Sequence, residues 1–133
     1  MGRLLFTDFL IVGAGGFIGS GLRYVTTVSV QRLFPDSLFP YGTFTVNIIG
    51  CLLIGYLAEI ILAKPLLDPS VRLFVVAGLL GGFTTFSAFS YENLYLLQQA
   101  RPGLALINVL SQVIIGVLAA WAGFQLARYM VAN

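Results

Sequence analysis

Apolar residues fill four long stretches of the chain, roughly 5–30, 43–63, 71–98 and 104–130, and short polar connectors separate them. Each stretch reaches the ~20 residues that a helix rising 1.5 Å per residue needs to cross a hydrocarbon core about 30 Å thick. The pattern predicts an all-α membrane protein, a single four-helix transmembrane domain over residues 1–133. The connectors carry the expected stop signals: Pro35, Pro40 and Gly42 after the first stretch, Lys64-Pro65 and Asp68-Pro69 after the second, Arg101-Pro102-Gly103 after the third. Ser70 is placed to cap the third helix, with Arg72 close behind. An even number of spans puts both termini on one side.

The polar exceptions inside the stretches carry the information. Gly78 to Glu92 (GLLGGFTTFSAFSYE) sets glycines, hydroxyls and paired aromatics in mid-span. Gly81-Gly82 costs a helix about 1 kcal/mol per residue relative to alanine, and the Thr84-Thr85 hydroxyls compete for backbone hydrogen bonds. A helix break is expected there, and lipid tolerates freed backbone only where it is buried in protein or lines a wet cavity. Phe86 and Phe89 then share one face of the resumed helix. Asn47 is a lone amide at depth in the second stretch: either it fastens two helices or it lines a path. Asn108, Ser111 and Gln112 share one face of the last stretch, with the same two readings. In the first stretch Gly15 and Gly19 have the spacing that lets helices approach closely. Asp8 and Arg23 fall near its two ends.

Composition narrows the class. A 59% hydrophobic share with 9% charged residues and a net charge of +2 belongs to lipid and gives nucleic acid no basic cluster to bind. There is no histidine, and the single cysteine, Cys51, sits in an apolar run, so transition-metal chemistry has no ligand set. The N-terminal run is too long for a cleaved leader and reads as the first span. Ile11 to Gly19 (IVGAGGFIG) imitates a dinucleotide-binding turn, and Asp36 lies at a plausible ribose distance. Its context refuses that reading, because Asp36 follows Phe34-Pro35 in a connector and four spanning-length apolar runs leave a soluble sheet no wet surface. No enzyme activity is expected.

Charge placement shows almost no orientation bias: Arg3, Lys64, Arg72 and Arg128 fall on one side, Arg23, Arg32 and Arg101 on the other. Either the count is noisy in so small a chain, or the chain inserts both ways and pairs as an antiparallel two-fold dimer. The mid-membrane set of Asn47, Thr85, Ser87, Ser90, Phe86 and Phe89 offers donors and positive ring edges with few strong negative groups. Such a set suits a small anion, whose lost water must be replaced by close donors.

Gly81 to Glu92 (GGFTTFSAFSYE), Tyr41 to Asn47 (YGTFTVN) and the Gly-rich first span ending in Leu22-Arg23-Tyr24 resemble the Fluc (CrcB) fluoride channels, over all four spans. The third-span motif is the specific part. The resemblance implies passive, fluoride-selective export from the cytoplasm across the cell inner membrane, conferring fluoride resistance. It implies an antiparallel, dual-topology homodimer with two pores. It assigns Phe86 and Phe89 as ring-edge contacts to fluoride, Asn47 as the pore asparagine and Arg23 as the vestibule arginine, with Thr43, Ser90 and Glu92 as further polar pore positions. It also places a structural sodium ion, not transported, on the backbone carbonyls of Gly81 and Thr84 from both subunits. The chain departs from the family in the fourth span, where Gln112 and Gly116 stand in place of a pair of serines, and a glutamine amide there still donates to an anion.

The alternative is a small proton-coupled multidrug antiporter of dual topology. It would need a carboxylate at mid-membrane in the first span, whereas Asp8 is near that span's start and Glu59 and Glu92 lie toward the ends of theirs. A purely structural membrane subunit is the third reading, in which the polar groups only fasten helices.

Overall fold

The computed structural model describes residues 2–63 and 68–132, without the side chains of residues 2–4, 62 and 63. Described residues form helices only: α1 (Gly2–Gln31), α2 (Tyr41–Ala63), α3 (Pro69–Arg72), a π-helical segment (Leu73–Leu80), α4 (Gly81–Phe83), α5 (Phe86–Gln98) and α6 (Pro102–Ala132). Among the described residues, four runs are long and apolar enough to cross a membrane: Leu5–Gln31, Tyr41–Ile61, Pro69–Gln98 and Pro102–Ala132. The dinucleotide-like glycine stretch lies wholly inside α1, with no strand before it. Lys64-Pro65 and the Arg3 side chain lie outside the described residues.

Two helix pairs make the body, α2 along α6 and α1 along the π-helical segment and α4. Glycines set both seams. A Cβ on Gly19 would overlap the carbonyl oxygen of Leu79, and one on Gly82 would come within 2.6 Å of the carbonyl oxygen of Gly16. Backbones therefore touch directly, the contact that small residues provide between membrane helices. Gly55 and Gly123 do the same for α2 and α6, against Ala120 and Leu52. Little side-chain volume is enclosed: among the described residues the buried apolar ones are Val46, Leu80, Phe83, Leu96, Ala105 and Ala127, while Phe17 is 81% exposed. That surface is fit for lipid or for another subunit.

The connectors are tightly built. Gln31 reaches over the first one, its Nε2 donating to the Ser37 and Phe39 carbonyls at 3.4 Å and its Oε1 accepting from Gly42 N at 3.3 Å. In the same connector the rings of Phe34, Tyr41, Phe39 and Phe44 meet pairwise in tilted contacts, with centroids 4.2–5.9 Å apart. Asp68, and not Ser70, caps the third span's start: its Oδ1 accepts from Ser70 N at 2.7 Å, with Pro69 at the first helical position. A carboxylate ahead of Pro69 leaves Ser70 one residue inside the helix, as the capped residue. After α5, Arg101 N bonds Leu96 O at 2.9 Å and Ala100 N bonds Leu97 O at 3.1 Å, a Schellman turn. Ala100 takes its left-handed position at φ 54°, although Gly103 stands three residues away inside α6.

Between Phe83 and Phe86 the backbone is extended, with φ −81°, ψ 160° at Thr84 and φ −152°, ψ 121° at Thr85. Gly81 and Gly82 remain helical. The β-branched threonines favour extended geometry, while Gly82 is occupied by its close approach to α1.

Candidate functional site

The α4–α5 junction exposes main-chain groups that a continuous helix would have paired, and side chains of α1 and α2 take them up. Asn47 of α2 meets both groups of Thr85: its Oδ1 accepts from Thr85 N at 2.9 Å and its Nδ2 donates to Thr85 O at 3.0 Å. Arg23 of α1 donates from Nη1 to Thr84 O at 3.2 Å. Thr85 Oγ1 caps α5 by accepting from Ala88 N at 3.2 Å, and Thr84 Oγ1 turns back onto Leu80 O at 3.0 Å. A buried carbonyl or N–H without a partner costs about 1–3 kcal/mol, so these contacts are what makes two extended residues tenable at this depth.

A recess opens on each side of the junction, and Thr85 lines both. The first, about 450 Å³, is walled by Asn47, Gly81, Thr84, Phe86, Phe89 and Gln112 with apolar neighbours. Phe86 and Phe89 stand with ring centroids 5.5 Å apart and planes tilted by 41°, and Phe86 is 78% exposed. The second recess, about 550 Å³, holds Arg23, Thr43, Ser87, Tyr91 and Glu92. There the buried hydroxyl of Thr43 donates to Glu92 Oε1, while Glu92 Oε2 has no partner among the described residues.

Of the residues singled out by sequence, Asn47, Phe86, Phe89, Gln112, Gly81 and Thr84 meet at the first recess, and Arg23, Thr43 and Glu92 at the second. Ser90 joins neither, since its hydroxyl is spent on Phe86 O at 3.0 Å. Gln112 is linked to Asn47, Nδ2 to Oε1 at 2.7 Å, and passes the contact on from Nε2 to Asn108 Oδ1 at 3.0 Å. Asn93 was not singled out, yet it carries another part-buried amide, bonded through Nδ2 to Phe89 O at 2.7 Å. An asparagine four residues after Phe89 was the available signal.

Comparison with known proteins agrees with the motif. Residues 10–124 match the family described as "CrcB-like protein, Camphor Resistance (CrcB)". The chain belongs to the CrcB family. It is 43% identical over 119 residues to a protein of Methylobacillus flagellatus named "Fluoride-specific ion channel FluC", covering 90% of this chain and 93% of that one. Proteins of the same name from Rhizobium meliloti, 45% identical over 123 residues, and Campylobacter fetus subsp. fetus, 41% identical over 128 residues, cover 92% and 96% of this chain and 97% and 98% of their own lengths. With four spanning helices in a family of ion channels, this CrcB member is a multi-pass membrane protein and no enzyme.

Proposed function

We propose that the chain is a fluoride-selective channel that lets cytoplasmic fluoride leave passively down its electrochemical gradient. The observation that carries this reading is the convergence of Asn47, Gln112, Phe86 and Phe89 on one recess, in a chain whose relatives are named fluoride-specific ion channels. Neutral N–H donors and ring edges can replace the water that a small anion gives up, and they add no fixed charge to hold it too tightly. Arg23, beside Thr43 and Glu92, draws anions toward the junction from the second recess. A fluoride leak of this kind confers fluoride resistance and needs no energy source.

The working unit in this reading is an antiparallel homodimer of dual topology in the cell inner membrane, with the third span broken at Thr84-Thr85 and two pores per dimer. Three features support it: the near absence of charge bias, the largely exposed apolar surface, and the exposure of Phe86 beside an open recess that one chain only half encloses. The break also supplies oxygens for a structural sodium ion. The residues fit: Thr84 O lies outside any helical ladder and retains a lone pair beside its bond from Arg23, and a Cβ at Gly81 would meet only Val76 O at 3.8 Å, so that position is open to the recess. Carbonyl oxygens suit a hard cation, and the negative end of a helical segment favours one. Gly81 and Thr84 of both subunits would hold the ion, which supplies charge to tie the two breaks together.

Fluoride efflux from liposomes, followed with a fluoride electrode on adding a potassium ionophore and compared with chloride efflux, tests the function. Rapid fluoride loss without chloride loss is expected. Silence from protein shown to be dimeric in sodium buffer overturns the channel and leaves the proton-coupled antiporter to be assayed.

A further inference from the structure

The hydrogen-bond ladder of the third span lengthens by one residue and then returns. Leu73 N bonds Pro69 O, four residues back, as well as Ser70 O. Gly81 N reaches Val76 O, five residues back, as well as Gly78 O. By Thr84, whose N bonds Leu80 O at 3.0 Å, the step is four again. The π-helical segment Leu73–Leu80 therefore holds one residue more than an α-helix would use for the same stretch.

That residue decides which side of the span meets α1. A Cβ on Gly15 would overlap Phe74 O and come within 2.9 Å of Leu79 N and 3.0 Å of Gly78 Cα, and one on Gly19 would come within 2.9 Å of Phe83 N. Gly82 completes the seam, since a Cβ there would come within 2.6 Å of Gly16 O. At about 100° per residue, as in an uninterrupted α-helix, Phe74, Gly78, Leu79, Gly82 and Phe83 spread over about 180°, more than one neighbouring helix can touch. At about 80° per residue through the π-helical segment, the same five fall within about 100°. Gly81 is then on the far side: a Cβ there would have only Val76 O near it, at 3.8 Å, and Gly81 walls the first recess together with Val76, Leu80 and Thr84.

We propose that the π-helical segment is a register joint, whose one surplus residue turns the end of the third span so that Gly82 enters the seam with α1 while Gly81 and Thr84 face the recess. A span that kept every residue but was α-helical throughout would be turned beyond Leu80 by about 100°. Gly81 would then take the place of Gly82 in the seam, and Thr85 would be carried away from Asn47. Removing one residue from the segment has the opposite consequence: the ladder becomes four-step throughout and both faces stay where they are. The joint is a property of the fold and does not rest on which ion the protein carries.

The test is deletion of Ala77, which is exposed and away from the seam, from the full-length chain, alone and combined with Gly81→Ala or Gly82→Ala. Deletion of one residue from a continuous helix rotates everything beyond it by about 100°. Deletion of Leu53 in α2 does this, moves Gly55 off Ala120, and should abolish assembly. Deletion of Ala77 should instead leave assembled protein. In the wild-type and the deletion background alike, Gly82→Ala should lower the denaturation midpoint in mixed micelles by about 4 °C or more, and Gly81→Ala should not lower it. Loss or reversal of that asymmetry in the deletion background shows that the end of the span has rotated, and overturns the joint. It is equally overturned if deletion of Ala77, and deletion of Val75 as a second way to remove the surplus residue, are both as damaging as deletion of Leu53. Midpoints alone carry this test, so a chain that keeps the asymmetry yet conducts no fluoride overturns the channel reading and leaves the joint standing.

Discussion

Asn47 and Thr85, on different spans and 38 residues apart, exchange two hydrogen bonds of 2.9 and 3.0 Å, as two paired strands would. The side chain thereby replaces two helical hydrogen bonds at the one place where the third span has extended backbone.

Asn47→Leu leaves Thr85 N and Thr85 O without their partner and frees Gln112 Oε1. At about 1–3 kcal/mol for each unsatisfied buried group, the loss should exceed that of an ordinary surface substitution several-fold. A lower denaturation midpoint in mixed micelles, together with lost fluoride flux, is the expected outcome. An unchanged midpoint would show that water replaces the amide.

The glycines of α1 divide into two classes. Gly19→Ala would drive a methyl group into Leu79 O, and a clash with backbone has nowhere to relax, so a loss of about 1–3 kcal/mol or failed assembly is expected. Gly21, with nothing within 4 Å of an added Cβ, should accept alanine with no loss and a gain of up to about 1 kcal/mol. Size-exclusion profiles and denaturation midpoints of the two variants check the contrast.

Ala100→Gly should stabilise the protein. The left-handed φ of 54° in the Schellman turn costs a residue with a Cβ roughly 1–2 kcal/mol, from which glycine's greater unfolded-state freedom subtracts. A net gain of about 0.5–1 kcal/mol in the midpoint is expected, without change in flux.

Arg23→Gln keeps a donor that can reach toward Thr84 O but removes the charge beside the second recess. If Arg23 concentrates anions, the wild-type advantage in fluoride flux should be largest at low ionic strength. It should shrink as the Debye length falls from ~30 Å at 0.01 M to ~10 Å at 0.1 M. A ratio independent of salt would assign Arg23 to the Thr84 contact alone.

Sodium removal is the complementary experiment. Exchange for N-methylglucamine should lower both fluoride flux and thermal stability, with lithium or sodium restoring them, because a bulky organic cation cannot enter a carbonyl cage. Equal flux and stability in the two buffers would remove sodium from the proposal.

Much of this was legible in one dimension, because lipid makes hydropathy an unusually strict signal. A span must be long, apolar and helical, so the four stretches, their proline-marked connectors and the family motif around Thr84-Thr85 could be read from residue types alone. Polar residues at such depth are expensive, and so Asn47, Gln112 and the Thr-Phe-Ser run stood out as candidates before any packing was known.

Tertiary structure decided what spacing cannot. Gly82 stays helical because α1 lies against it, and the extended residues are the threonines. Asp68 takes the cap from Ser70, and the left-handed turn falls on Ala100 although a glycine is close by. Ser90 turns back onto its own helix, while Thr43, 49 residues before Glu92, becomes its partner. Above all, the direction of each amide is invisible in sequence, since Asn and Gln are donor and acceptor at once. Only the main-chain N–H of Thr85, brought to Asn47 by the packing of two spans, orders the series through Gln112 to Asn108.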